Sequence, residues 1–451
     1  MTGRLTWLES DRMFPSRFIR PTRRFMQLEA ASGLVLLGAT AIALTWANLP
    51  FGASYTQFWE AHIIVDLGPI DFDESLRHVV NDALMTLFFF VVGLEIKRET
   101  RLGDLKDAQA AAGPAIAAVG GMVVPALIYL SFNPSGDAAR GWGIPMATDI
   151  AFALGVVALL GDRIPQRARL FLLALAIVDD IGAIAVIAIF YTDDLSATWL
   201  AIGIGLFAVI YLAKHSGVRA MPFYWVAGTA VWFAAFESGV HATLAGVALG
   251  FLTPTKPFFG AGEYDQRARA IVDKYGLTDD TTIDREHIDH EVLALSNVVR
   301  ESVSPLTRLE EGLHPWTSFL IVPLFALANA GVRFAGIQLG EALTDPVTLG
   351  VAAGLVVGKL IGISAALYLA NRFGIARLPI GTNWRQIRGL STLGGIGFTV
   401  ALFITGLAFN DPALVDLAKI GVFLGSAVAG TVGYLILRRS PNHGRPAPGS
   451  D

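Results

Sequence analysis

LFLLALAIVDDIGAIAVIAIFY (residues 170–191) decides how the rest of the chain is read. Adjacent aspartates, Asp179 and Asp180, lie near the middle of a run that carries no other charge. A charged side chain at a bilayer centre costs roughly 2.5–3.5 kcal/mol on insertion scales, so two in succession are kept only where something binds them. Neighbouring residues of a helix point about 100° apart. One acid should therefore face a cavity and the other a partner helix.

The surrounding sequence supports a membrane setting. Of 451 residues, 53% are hydrophobic and 16% charged, with mean hydropathy +0.55; a soluble domain is about 25% charged. Repeated apolar runs are long enough to cross about 30 Å of hydrocarbon. The 47 glycines and 21 prolines fit close helix approach and interrupted helices inside a membrane. The chain has no cysteine, which excludes disulfides and a thiolate metal site. Its net charge of −4 says little; the placement of basic residues says more.

Twelve spans are expected, at about 30–48, 78–97, 108–131, 141–161, 168–191, 196–213, 222–236, 240–253, 314–333, 346–371, 388–409 and 412–438. Assigning the 34 Lys and Arg residues to alternating sides puts 29 on the side of the N-terminus. Only Arg77, Arg140, Arg333 and Lys419 fall on the other side, and Lys359 lies inside a span. By the positive-inside rule both termini are cytoplasmic. The domain reading is a cytoplasmic segment 1–29, whose basic residues lead into a retained first span rather than a cleaved signal. A transmembrane domain 30–438 and a cytoplasmic tail 439–451 follow.

Two stretches between spans stand out. HIIVDLGPIDFD (62–73) alternates apolar and polar residues around a Gly-Pro turn, which reads as an outer β-hairpin within about 60–74. An isolated hairpin is marginal in water, so it either pairs with a second copy in a homodimer or forms an ordered loop of a monomer. The cytoplasmic stretch 254–313 is charged and partly helical in pattern, and carries no catalytic or nucleotide motif.

The buried charges form a set. Asp149 lies within GWGIPMATDIAFALGVVALLG (141–161) and Lys359 within LGVAAGLVVGKLIGISAALYLA (349–370), each near mid-span like the aspartate pair. A midplane lysine is about 15 Å from either interface, beyond the reach of snorkelling. Three acids against one base leave an excess that calls for a cation or protons. Gly143-Ile-Pro145-Met-Ala-Thr148-Asp149 should break the fourth span near its middle, because Pro145 lacks a donor and glycine loosens the backbone; Gly394, Gly395 and Gly397 lie at a similar depth in the eleventh and either break it or only let it pack closely. Spans three to five and ten to twelve run in opposite senses, which places the two breaks at corresponding positions of inverted repeats. Where such breaks cross, paired helix N-termini are positive and paired C-termini negative; Asp149 suits the former and Lys359 the latter.

These residues carry a resemblance. GLEIKRE (93–99), MATDIAFALGV (146–156), ALAIVDDIGAI (174–184), SGVHATLAG (238–246), RLEEGLHPW (308–316), PLFALANAGV (323–332), GKLIGI (358–363) and GGIGFTVALFI (394–404) resemble the NhaA family of bacterial sodium/proton antiporters, in family order. The stretch 254–313 is longer than the short linker expected there. The resemblance implies an all-α polytopic inner-membrane protein of about twelve transmembrane helices. Inverted-topology repeats, discontinuous crossing helices at spans four and eleven, and a small periplasmic hairpin complete that fold. It implies that Asp179 and Asp180 bind Na+ and carry protons, that Thr148 and Asp149 support the site, and that Lys359 pairs with Asp179. Glu95, Arg98, Glu99 and Glu310 would form a pH-sensing cluster, and His241 either joins that response or is structural.

The implied activity is electrogenic exchange of Na+ or Li+ for more than one H+, activated at alkaline pH. No cofactor is called for, since the ions are substrates. The partners are the lipid bilayer and a second copy of the chain, with no nucleic acid and no enzymatic reaction. An intramembrane aspartyl protease would also need two buried acids, but its GxGD signature is missing. A passive cation channel would lack proton coupling, and an organic-anion transporter fits poorly with excess buried negative charge.

Overall fold

The computed structural model describes residues 31–66, 71–192, 195–218, 220–275, 285–334 and 338–440. The expected segment 1–29, the Gly68-Pro69 turn and the tail from residue 441 lie outside the described residues. The chain is predominantly helical. It runs α1 (Ala31–Asn48), α2 (Ala53–Trp59), β1 (His62–Asp66), β2 (Asp71–Ser75), α3 (Leu76–Arg101), α4 (Ala108–Phe132) and a 3-10 helix (Asp137–Met146). Then come α5 (Ile150–Leu159), α6 (Gln166–Phe190), α7 (Ala197–His215), α8 (Met221–Glu237) and α9 (Ala242–Leu252). The stretch after α9 folds into α10 (Ala261–Tyr275), α11 (Arg285–Glu301) and α12 (305–329). The chain closes with α13 (Leu339–Thr344), α14 (Pro346–Arg372), α15 (Trp384–Leu393), α16 (Phe398–Ala408) and α17 (Pro412–Arg438).

Among the described residues, seven helices are long and apolar enough to cross a membrane, or nine if each of two bent pairs is one span. α8 and α9, with 17 and 11 residues, rise only about 25 and 16 Å at 1.5 Å per residue. They divide at Ser238-Gly239, where Gly239 adopts φ 78°, a left-handed turn that glycine allows without a Cβ clash. The expected hairpin forms an antiparallel pair in the register His62↔Ser75 to Asp66↔Asp71, and His62 Nδ1 lies 2.6 Å from Asp73 Oδ1 across the strands.

Of the two helix breaks, the first adds a detail to the sequence reading. Residues 141–146 belong to a 3-10 helix rather than an α-helix, and Pro145 sits inside it. The chain straightens only afterwards, over residues 147–149, before α5 begins, and the two pieces meet at 42°. Pro145 has no N–H to donate in either kind of helix, and α4 holds Pro114 and Pro125 inside it, so the extended Ala147 and Asp149, not the proline alone, mark the bend. α15 and α16 meet at 46° across Gly394–Gly397, where the glycines were expected to act. The ninth expected span begins earlier than its apolar run, because Ser304 caps the helix by accepting from Thr307 N at 3.1 Å.

Glycine sets how closely the helices cross. A Cβ on Gly395 would run into the carbonyl of Leu355, and one on Gly397 would lie 2.9 Å from the carbonyl oxygen of Ala147. Facing Gly120 and Gly362 let α4 and α14 approach backbone to backbone in the same way. Replacing Gly395 by Val should lower the thermal unfolding midpoint in detergent, at a cost of about 1–3 kcal/mol or more from overpacking. Gly406→Val, on the same helix pair but facing open space, should leave the midpoint nearly unchanged; equal effects would contradict the close-crossing argument.

Candidate functional site

The site lies where the two breaks face each other. Asp149 caps α5: its Oδ1 accepts from Phe152 N at 3.1 Å. Its Oδ2 accepts from Thr399 N at 3.1 Å and from Thr399 Oγ1 at 2.6 Å, in the first turn of α16. One buried carboxylate therefore meets two positive helix ends. Backbone pairing reinforces the crossing, since Asp149 N donates to Ile396 O at 2.6 Å.

Thr148 closes the opposite ends. Its Oγ1 lies 2.7 Å from Gly394 O, at the carbonyl end of α15, and 2.7 Å from Asp179 Oδ2. A hydroxyl has one proton, so it donates to only one of these acceptors at a time. It also accepts from Lys359 Nζ at 3.0 Å. Lys359 follows directly on a π-helical turn, Gly354–Gly358, and its side chain is completely buried. Its ammonium donates to Asp179 Oδ2 at 2.5 Å, a charge-assisted pair with both members at 0% exposure. Lys359 thus meets the carbonyl end of α15 through Thr148 rather than directly.

Asp180 has a different environment. It lines a cavity of about 810 Å³, which Asp179 and Lys359 do not line. Asp149, Thr148 and Thr399 share the inner wall; Glu95, Arg169 and His314 lie toward the end where α3 finishes and α6 and α12 begin. Among the described residues Asp180 makes no hydrogen bond, and the Oδ1 atoms of both aspartates are buried without a partner. A buried anionic oxygen without a donor is costly unless a proton or a cation satisfies it. Carboxylate, hydroxyl and carbonyl oxygens are the donor set a hard cation takes.

The remaining candidates divide between the mouth of the cavity and a distant position. Arg98 pairs with Glu310 through Nη1 and with Glu99 through Nη2 at 3.2 Å, while Glu95 faces the cavity. His241 stands apart: its Nε2 is 2.5 Å from the carbonyl of Tyr191. Tyr191 is eleven residues beyond Asp180, about 16 Å along the axis of α6. Thr399 and Arg169 were not singled out in the sequence. Thr399 had a legible signal, being a hydroxyl residue in the first turn after a glycine break; Arg169 had none, because it resembles any basic residue at a helix start.

Against this geometry, the family model described as Na+/H+ antiporter 1 matches residues 23–437. The chain belongs to the Na+/H+ antiporter 1 family. It is 45% identical over 439 residues to Na(+)/H(+) antiporter NhaA 2 of Sorangium cellulosum, covering 96% of this chain and 93% of that protein. A similar relative is the Na(+)/H(+) antiporter NhaA of Oleidesulfovibrio alaskensis, 45% identical with 94% of each chain covered. The NhaA of Rhodopirellula baltica is 46% identical over 93% of this chain and 94% of its own. The relatives are antiporters, transporters rather than enzymes.

The Asp179–Lys359 contact is open to a double-mutant cycle. Lys359→Met should destabilise the protein by about 3–5 kcal/mol, since it strands a buried carboxylate. Adding Asp179→Asn should recover much of that loss in thermal unfolding. Additive losses in the double variant would show that the pair is not coupled.

Proposed function

We propose that this chain is an electrogenic Na+(Li+)/H+ antiporter of the bacterial inner membrane, with Asp180 as the central ion ligand. The observation that carries the reading is the asymmetry of the aspartate pair. Asp180 presents an unpartnered carboxylate to a cavity, while Asp179 is committed to Lys359 and Thr148. Na+ binds at Asp180 with help from Asp179, and Thr148 and Asp149 hold the crossing that shapes the site.

Exchange follows from competition. Protons and Na+ seek the same oxygens, so a site opening alternately to each face carries one in and the other out. Protonation of Asp180 releases Na+. A second proton is carried by Asp179 or by Lys359 when their ion pair breaks, so more than one H+ enters per Na+ exported, and the cycle is driven by the proton gradient. The protein then serves sodium and pH homeostasis. Glu95, Arg98, Glu99 and Glu310 sense pH at the cytoplasmic mouth, and His241 acts from a distance through the end of α6.

We read twelve spans with both termini cytoplasmic, organised as inverted repeats. The lengths support this: 25-residue α4 and α6 flank one bent pair, and 27-residue α14 and α17 flank the other. The bent pairs are the discontinuous crossing spans. The hairpin joins two copies into a homodimer, with Ile64, 68% exposed on β1, among the residues available to a second copy.

Inverted vesicles test the reading through collapse of an imposed pH gradient on adding Na+, Li+ or K+. Na+ and Li+ should collapse it and K+ should not. The response should be small at acid pH, where protonated carboxylates cannot take a cation, and rise toward alkaline pH. Asp180→Asn should abolish exchange while the protein still inserts. A flat pH profile, or Na+/H+ exchange retained in Asp180→Asn, would overturn the assignment.

A further inference from the structure

The ion cavity runs along one face of α6. Arg169 and Asp180 both line it, as does Leu173 between them. Arg169 and Asp180 are eleven residues apart, about three turns of helix, so their side chains leave α6 within about 20° of each other and about 16 Å apart along its axis. Arg169 stands in the first turn of α6, at the end of the cavity where that helix starts. A cation moving from that end toward Asp180 passes its guanidinium.

That charge is out of keeping with its surroundings. Among the described residues lining the cavity, Glu95, Asp149 and Asp180 are acids, and Arg169 is the one Lys or Arg. A guanidinium is not deprotonated in proteins, so the charge is permanent. Its place is fixed by Nη2, which donates at 2.5 Å to the carbonyl of Gly161, just past the end of α5. Nε is buried and, among the described residues, has no hydrogen-bond partner. The unpartnered carboxylate oxygens at the far end suit a hard divalent cation such as Ca2+ as well as they suit Na+. Three acids also attract two charges more strongly than one. Ligand chemistry alone therefore does not keep the site monovalent. A fixed cation on the approach does, because its repulsion grows in proportion to the charge of the entering ion.

We propose that Arg169 is the charge filter of the ion cavity, setting the apparent affinity for the monovalent cation and keeping divalent cations from Asp180. The inference rests on Asp180 being the cation ligand. Arg169 does not touch the bound ion; it acts through its field. At about 16 Å and an effective dielectric constant of about 20–40, one unit charge changes the apparent affinity for a monovalent cation about two- to six-fold. The factor for a divalent cation is the square of that one.

Inverted vesicles carrying the full chain test this through the Na+ KM of exchange and the Ca2+ concentration that halves it. Arg169→Gln should lower the Na+ KM about two- to six-fold, with little of the change in maximal rate, and lower the half-inhibitory Ca2+ concentration by the square of the same factor. Arg169→Lys keeps the charge and should restore both constants to near their native values. Gln166 is exposed and lines the cavity one turn earlier, so a charge can be added there without removing the Gly161 contact. Gln166→Lys should raise both constants, again with the larger change for Ca2+. A Na+ KM unchanged or raised in Arg169→Gln, or equal fold-changes for Na+ and Ca2+, would overturn the filter and leave Arg169 as a tie between α5 and α6. Native constants in Gln166→Lys would overturn it too, and that arm decides the matter if Arg169→Gln does not insert. Failure of the underlying reading shows separately, as Na+/H+ exchange retained in Asp180→Asn, and would take the filter with it.

Discussion

A single carboxylate facing two helix N-termini is the constraint on which the interior depends. Asp149 accepts from the first turns of α5 and α16, and both helices start there because the chain is interrupted. Two positive helix ends meeting in an apolar interior would repel each other and leave backbone donors unpaired. Asp149 meets both needs, and the glycines of the α15–α16 break allow the backbones close enough for it to do so. Everything else in the site is placed relative to this crossing: Thr148 and Asp149 hang from one break, Gly394 and Thr399 from the other.

The crossing also explains how an aspartate pair is divided. α6 passes the breaks with Asp179 toward Lys359 and Thr148 and with Asp180 toward the cavity. A 100° turn between neighbours separates the two environments by geometry alone. Asp179 is held by a buried ammonium, so its charge is balanced within the protein. Asp180 has no such partner among the described residues, and its balance must come from what enters the cavity. Among the described residues, Asp180 is the member of the pair whose charge no basic side chain balances, which is the condition the proposed exchange needs.

Much of this was legible in the sequence because membranes penalise charge. Asp149, Asp179, Asp180 and Lys359 were conspicuous as charges in apolar runs, and the positions of Gly394–Gly397 marked a break. The hairpin was legible from period-two alternation. The fourth span breaks inside the stretch 143–149 that its proline and glycine marked, but the sequence carries no sign that residues 137–146 form a 3-10 helix. Thr399 was passed over although it follows a glycine break, because a threonine in an apolar helix is common and its 2.6 Å contact with Asp149 exists only in the fold. The cluster of Arg98, Glu99 and Glu310 joins residues more than two hundred positions apart, and the sequence carries no physical sign of that pairing beyond the family resemblance.

The central claim is that protons and a cation compete for Asp180. Titrating Li+ or Na+ calorimetrically into the detergent-solubilised protein, in two buffers of different ionisation enthalpy and across pH, tests it directly. The account predicts that binding releases protons, seen as a buffer-dependent heat, and that apparent affinity weakens progressively as pH falls. Binding with no proton release and an affinity independent of pH would contradict it.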